Sequence, residues 1–137
     1  MMMTGPSRNR RPVFVAAYNV GVTLRRIKTY VAQTGYVYQY YFVGKRAALD
    51  DQGAEYIFDV THDRKTMFAV SVFLRPEALL EWEAHHGRPL SDTEQYATAK
   101  LRLQQGFDTH ADMLAEGRSL EISAANVEEL LEPLDLS

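Results

Sequence analysis

The sequence predicts an α+β domain: a single-layer antiparallel meander of three strands, extending to four or five, packed with about four helices. Two observations carry this prediction. Three strand-like segments follow one another in the middle of the chain, and most of the helix-like segments are grouped after them. Grouped strands and grouped helices are typical of α+β folds, whereas parallel α/β sheets alternate the two kinds of element.

The size and composition predict one hydrophobic core. The chain has 137 residues, of which 46% are hydrophobic and 24% charged, and these are ordinary values for a single globular domain. It contains no cysteine, so a disulfide framework, thiolate metal ligands and a cysteine nucleophile are all excluded. Residues 1–11 lack apolar periodicity and carry three arginines. We therefore expect a disordered basic tail over 1–11 and one domain over 12–137.

The first element after the tail is predicted to be a helix that ends near Gly35. Apolar residues recur there at alternating steps of four and three, which places them on one helical stripe. They are Val13, Ala17, Val20, Leu24, Ile27 and Val31. Because Gly21 lies in a β-branched neighbourhood, Val13–Tyr18 could instead form a short strand before a helix that Asn19 caps.

Three segments rich in aromatic and β-branched residues follow, and each predicts a strand. They are Tyr36–Val43, Glu55–Val60 and Met67–Leu74. We expect Phe58 to lie opposite Phe68, and Tyr56 opposite Val70, because this alignment places the apolar residues on one face.

Helix signals follow the strands. Pro76 suits the first turn of a helix that runs to about His86, and Gly87 can end it. Ser91 with Glu94 three residues later predicts a capping box, which starts a helix at Asp92.

The apolar stripe of that second helix continues to Gly117, so one long helix is expected. A short strand over Ser119–Ser123 and a last helix over Ala124–Glu132 complete the predicted order.

The sheet face opposite the apolar one carries a mixture of polar and apolar positions, and we interpret it as a ligand groove. Its candidate ligand-binding residues are Gln39, Tyr41, Glu55, Asp59 and Ser71. Glu55 and Asp59 have the spacing of one strand face, which suits acid and base work. Salt bridges to the basic part of the chain would explain these two carboxylates equally well.

The charge of the chain is divided between its two ends. The first 46 residues contain eight Lys and Arg and no Asp or Glu, whereas the other seven bases accompany all eighteen acids. Six of the eight tyrosines also lie in that first part, and cations with aromatic rings suit single-stranded nucleic acid. Candidate nucleic-acid contacts are Arg25, Arg26, Lys28, Lys45 and Arg46. Alternatively, these bases attract the acidic half of the same fold.

Signatures of catalysis are missing from the sequence. It has no glycine-rich phosphate loop, no nucleophile elbow and no zinc-protease histidine pair. Glu81 and His85 are one helical turn apart, but pairs of this kind are typical of exposed charged helices. His62 and Asp63 fit a turn in which the aspartate bonds the backbone. We therefore predict no catalytic residue, no metal site and no cofactor.

These observations predict a small non-enzymatic α+β module that binds a protein partner, itself or a small ligand through its sheet. A homodimer is expected, because both faces of the Tyr36–Val43 strand are largely apolar. The alternatives are single-stranded nucleic-acid binding and a small enzyme with an acidic groove on the sheet. A cytoplasmic protein without membrane contact is expected, since no apolar run approaches the roughly 20 residues that span a bilayer.

Overall fold

A curled five-stranded sheet, close to a half-barrel, carries four helices in the computed structural model, which describes residues 26–136. The strand order is the chain order; the first four strands are antiparallel neighbours and the fifth is parallel to the fourth. The strands are β1 Lys28–Val31, β2 Val37–Ala47, β3 Ala54–Thr61, β4 Phe68–Leu74 and β5 Ser119–Ile122. The helices are α1 Pro76–His86, α2 Asp92–Thr109, α3 Met113–Glu116 and α4 Val127–Leu131. The predicted α+β meander is confirmed.

The predicted helix before Gly35 is wrong over its last part, because Lys28–Val31 forms β1 and pairs with β2. This segment alternates β-branched and longer residues, and so satisfies the period of a strand as well as that of a helix. In the fold it pairs with β2, and the Tyr30 hydroxyl donates to Asp108 Oδ2 of α2 at 2.6 Å. Gly35, at a φ of 100°, lies in the turn between β1 and β2 rather than ending a helix. The tail and Val13–Tyr18 lie outside the described residues.

The predicted register between β3 and β4 is wrong by two residues. The structure pairs Phe58 with Val70 and Tyr56 with Val72, where the apolar pattern alone had suggested Phe68 for Phe58. A shift of two residues leaves every side chain on the face where it was, because the strand period is two. Periodicity therefore defines the faces of the sheet but not its register.

The two main helices have the predicted starts. Ser91 Oγ accepts from the Glu94 backbone N–H at 3.2 Å, and a Glu94 carboxylate oxygen accepts from the Ser91 N–H at 2.8 Å. The long helix expected to reach Gly117 ends instead at Thr109, because His110 takes an extended conformation. Asp112 then caps α3 by accepting from the Ala115 N–H at 3.1 Å.

The core lies between the helices and one side of the sheet, which we call the inner face. It consists of the even-numbered positions of β2, β3 and β4 from Tyr38 to Leu74, except where a bulge interrupts β2. Tyr38 stacks on Phe107 of α2 with 4.2 Å between ring centroids, and Trp82 of α1 is buried in the same cluster. The helices of residues 26–136 thus cover the inner face.

Candidate functional site

The opposite side of the sheet, which we call the outer face, holds the odd-numbered positions of the strands, except after the bulge in β2, where it holds the even-numbered ones. Its predicted site residues do not form one cluster; they fall into two polar contacts and one groove. No helix in the part of the chain described by the structure packs on this face.

The first polar contact centres on Glu55, which is only 5% exposed although it lies on the outer face. Arg46 Nε donates to Glu55 Oε1 at 2.8 Å, and Ser71 Oγ donates to Glu55 Oε2 at 2.5 Å. A bulge between Phe42 and Gly44 allows the contact between Arg46 and Glu55, because it shifts the register of β2 by one residue. Arg46 therefore lies opposite Glu55 and on its face.

These contacts keep Glu55 ionised. Burial acts to raise the pKa of its carboxyl, but the hydrogen bonds from Arg46 and Ser71 outweigh burial and hold that pKa below the usual range. Both carboxylate oxygens are engaged. The salt bridge to the basic part of the chain, which the sequence left open as the alternative to acid and base work, is present for Glu55.

The second polar contact joins Tyr41 to Asp59, which are paired residues of β2 and β3. The Tyr41 hydroxyl donates to Asp59 Oδ2 at 2.8 Å. Asp59 lies four residues from Glu55 along β3, a separation of about 13 Å at the usual rise of a strand. The two carboxylates thus belong to separate contacts, each with its own donor.

A groove lies at the other end of the outer face, beside the turn that joins β3 to β4. It has two adjoining lobes of about 380 and 280 Å³, and we call both together the sheet groove. Gln39, Thr61 and Arg64 line both lobes. The larger lobe also contains Ile27, Tyr40, Tyr41 and Met67, and the smaller one Thr29, Val37, His62 and Asp63.

Of the predicted site residues, only Gln39 and Tyr41 line the sheet groove. Sequence reasoning missed Ile27, Arg64 and Met67, because the groove forms where β1, β2 and a distant turn meet. Ile27 comes just before β1 and Met67 just before β4, so only the fold brings these two apolar residues to one lobe.

The turn beside the groove is organised around Asp63. Its Oδ1 accepts from the backbone N–H groups of Lys65 and Thr66, each at 2.8 Å, and from the Thr61 hydroxyl at 3.1 Å. The hydrogen bonds from Thr66 and then Lys65 lower the pKa of the Asp63 carboxyl to about 2. The predicted turn role of Asp63 is confirmed, and this longer turn also accounts for the two-residue change in register.

The same turn presents Arg64 to the groove. Arg64 has a φ of 64°, and its backbone N–H donates to Thr61 Oγ1 at 3.1 Å. Its side chain is exposed, and it forms no ion pair with any residue between 26 and 136. A cationic residue therefore borders both lobes.

The candidate nucleic-acid residues occupy different places. Arg46 is paired with Glu55, and the Lys45 ammonium lies over the Tyr56 ring, 5.4 Å from its centroid. Lys28 lies opposite Tyr40, five residues before Lys45 on β2, or about 17 Å away along the strand. Arg26 is exposed, and Arg25 lies outside the described residues.

A second cleft, of about 490 Å³, lies between α1 and the end of the chain and is lined by Trp82, His86 and several acids. His86 stacks on Trp82 and its Nε2 lies 3.0 Å from Glu128 Oε1, while His85 pairs with Glu81 at 3.3 Å. Across residues 26–136, no group of three or more histidines and carboxylates could hold a metal ion.

Among the described helices, none has the length and apolar character needed to cross a membrane. Comparison with known proteins gives no match to this chain: no family model, no curated protein and no solved structure.

Proposed function

We propose that this chain is a non-enzymatic binding module that takes a small molecule into the sheet groove. The observation that carries the proposal is the convergence of three elements around one concave site on the outer face. Its larger lobe, at about 380 Å³, has the size of ligand pockets, which span about 300–1,000 Å³. Apolar walls with a few polar groups are the usual composition of such pockets.

The chemistry around the groove favours binding over catalysis. Glu55 and Asp59, which the sequence suggested for acid and base work, line neither lobe. Each carboxylate accepts hydrogen bonds from its own neighbours, and Glu55 stays ionised at neutral pH. A general acid needs a pKa near the working pH, whereas the pKa of Glu55 is lowered, away from neutral pH.

A second candidate function is self-association through an apolar corner of the outer face that overlaps the groove, because Ile27 and Val37 belong to both. Ile27, Val31 and Val37 are 63%, 70% and 50% exposed there, and β1 has no other described strand on its outer edge. Light scattering of a concentrated solution should give twice the mass of one chain, and Val31→Lys should restore the single mass. A single mass for the unaltered chain would remove this candidate.

The cytoplasmic location stays a prediction.

Nuclear magnetic resonance can test the main proposal with four probes that share one tail: octanol, octylamine, octanoate and octyl phosphate. We expect at least one probe to shift the backbone amide signals of Gln39, Thr61 and Arg64 in a saturable manner. Glu128 in the second cleft is the internal control and should not respond. Saturable shifts confined to the second cleft, or no saturable shift with any probe, would contradict the proposal.

A further inference from the structure

We infer that the natural ligand of the sheet groove is a dissolved small molecule with an anionic head group and an apolar tail, and that Arg64 recognises the head group. The inference rests on the proposed function, since it names the class of ligand for the same groove. Its basis is the backbone conformation of Arg64, the charge of its side chain and the distribution of apolar surface around it.

The conformation of Arg64 is unusual for its residue type. Three described residues other than glycine have a positive φ, namely Asp51, Arg64 and Asp135. Aspartate and asparagine adopt this left-handed region readily because their short polar side chains bond locally, whereas a long side chain such as that of arginine gains nothing there. Glycine or asparagine would suit the backbone at this position better than arginine.

The turn itself requires the left-handed conformation at residue 64. Asp63 Oδ1 must meet the backbone N–H groups of Lys65 and Thr66, so the chain has to curve tightly at Arg64. The surrounding hydrogen bonds thus hold Arg64 in a strained backbone conformation. Strain of this kind is typical of functional sites, and it motivates a functional role for the Arg64 side chain. What Arg64 adds to the turn is a guanidinium beside the groove.

That guanidinium lacks a carboxylate partner within residues 26–136. Elsewhere in the described part, Arg46, Arg75 and Arg88 each pair with a carboxylate, and Arg102 and Arg118 each donate to a backbone carbonyl oxygen. Guanidinium groups bind carboxylates and phosphates through two parallel hydrogen bonds. Arg64 is therefore available to an anion that enters the groove from solvent.

The two lobes assign the ends of the ligand. Asp63 lines only the smaller lobe, where its charge opposes an anion, whereas Ile27 and Met67 line only the larger lobe. Gln39, Thr61 and Arg64 form the wall between the lobes. The head group accordingly belongs at this wall, and the tail in the larger lobe against Ile27 and Met67.

Calorimetric titration of the full chain with the same four octyl probes tests the assignment. We expect octanoate and octyl phosphate to bind at least about tenfold more tightly than octanol, as a charge-assisted contact allows, and octylamine to bind least. Arg64→Asn should reduce the octanoate affinity by about tenfold, because asparagine keeps the left-handed turn and removes the cation. Lys65→Gln is the matched control: it removes the same charge from the neighbouring exposed residue and should change the affinity less than about twofold.

The outcomes separate the ligand class from the function. Octanol binding as tightly as octanoate, or Arg64→Asn binding octanoate normally, would overturn the head-group assignment and leave the groove as a binding site. Binding of no probe would remove both. The inference would also be overturned if the chain sedimented with phosphatidylglycerol vesicles but did not bind octanoate. If Arg64→Asn fails to fold, Arg64→Gly replaces it, because glycine adopts the same conformation without strain.

Discussion

The inner and outer faces of the sheet belong to the same strands but meet opposite environments. On the inner face, Phe58, Val60 and Val70 are fully buried against helices. On the outer face, the neighbouring residues Ile57 and Asp59 are only partly buried, and charged side chains hold one another in place. The comparison suggests that apolar packing on one face supplies stability, which leaves the other face able to carry a polar groove.

The largest expected difference between the faces comes from two adjacent residues of β3. Phe58→Ala should lower the free energy of unfolding by about 3–5 kcal/mol, because it empties a buried aromatic site. Ile57→Ala, its outer-face control, should cost less than about 2 kcal/mol since its side chain is already partly in water. Urea denaturation measures both values. Equal losses would contradict a division of stability between the faces.

The Arg46–Glu55 pair should contribute a smaller amount of stability from the outer face. Arg46→Ala should lower the free energy of unfolding by about 1–2 kcal/mol at neutral pH, because it leaves a buried carboxylate without one donor. The loss is no larger because the exposure of Arg46 limits what the pair contributes. The side chain of Arg46 is 53% exposed.

This cost should depend on pH. The pKa of Glu55 is lower in the folded chain, so the pair stabilises above the carboxyl's unfolded pKa and loses that effect as pH falls through the folded one. Denaturation curves of Arg46→Ala and the unaltered chain should therefore converge below about pH 4. Glu55→Gln is the control, because it removes the titrating group. A gap that stays constant down to pH 2 would contradict the assigned contact.

A smaller effect is expected at the turn beside the groove. The carboxyl carbon signal of Asp63 should titrate with a pKa of about 2, because two backbone N–H groups stabilise its charged form. Its contribution to stability should be complete above the unfolded pKa of about 4 and should be lost as pH falls from there through the folded value. Asp63→Ala should remove this acid dependence. An Asp63 pKa near 4 in the folded chain would mean that the turn is not organised as described.

The smallest change should come from Arg64. Arg64→Gly should raise the free energy of unfolding by about 0.5 kcal/mol, because relief of the left-handed strain slightly exceeds the greater chain entropy of glycine. The matched change Lys65→Gly, at a position without positive φ, should lower it by a similar amount. Differential scanning calorimetry compares the two. A loss of stability in Arg64→Gly would give Arg64 a structural role.

The sequence predicts most of what local rules control. Alternation identifies the two faces of β3 and β4, and the Ser91 capping box sets the start of α2 to the residue. Features that depend on distant contacts cannot be predicted from the sequence in this way. Tyr30 lies in a strand paired with β2 and contacts Asp108, seventy-eight residues away. The turn around Asp63 sets a register that an apolar pattern with a period of two cannot distinguish.

The candidate site follows the same division. Gln39 and Tyr41 were found because they lie on the mixed face, whereas Arg64 reaches the groove only through a turn whose conformation no single residue type reveals. The bulge in β2 likewise moves Arg46 to the outer face beside Glu55. Composition can suggest the charge division of the chain, but only the fold shows that Arg46 is paired and that Arg64 has no ion-pair partner within residues 26–136.

The central claim is that the outer face binds a ligand while the inner face supplies stability. Isotope-filtered nuclear Overhauser measurements on the labelled chain with unlabelled octanoate test it most directly. We expect contacts from the octanoate tail to the methyl groups of Ile27 and Met67, at the larger lobe of the sheet groove. Contacts to Leu131 and Leu136 in the second cleft, with none to Ile27 or Met67, would contradict it.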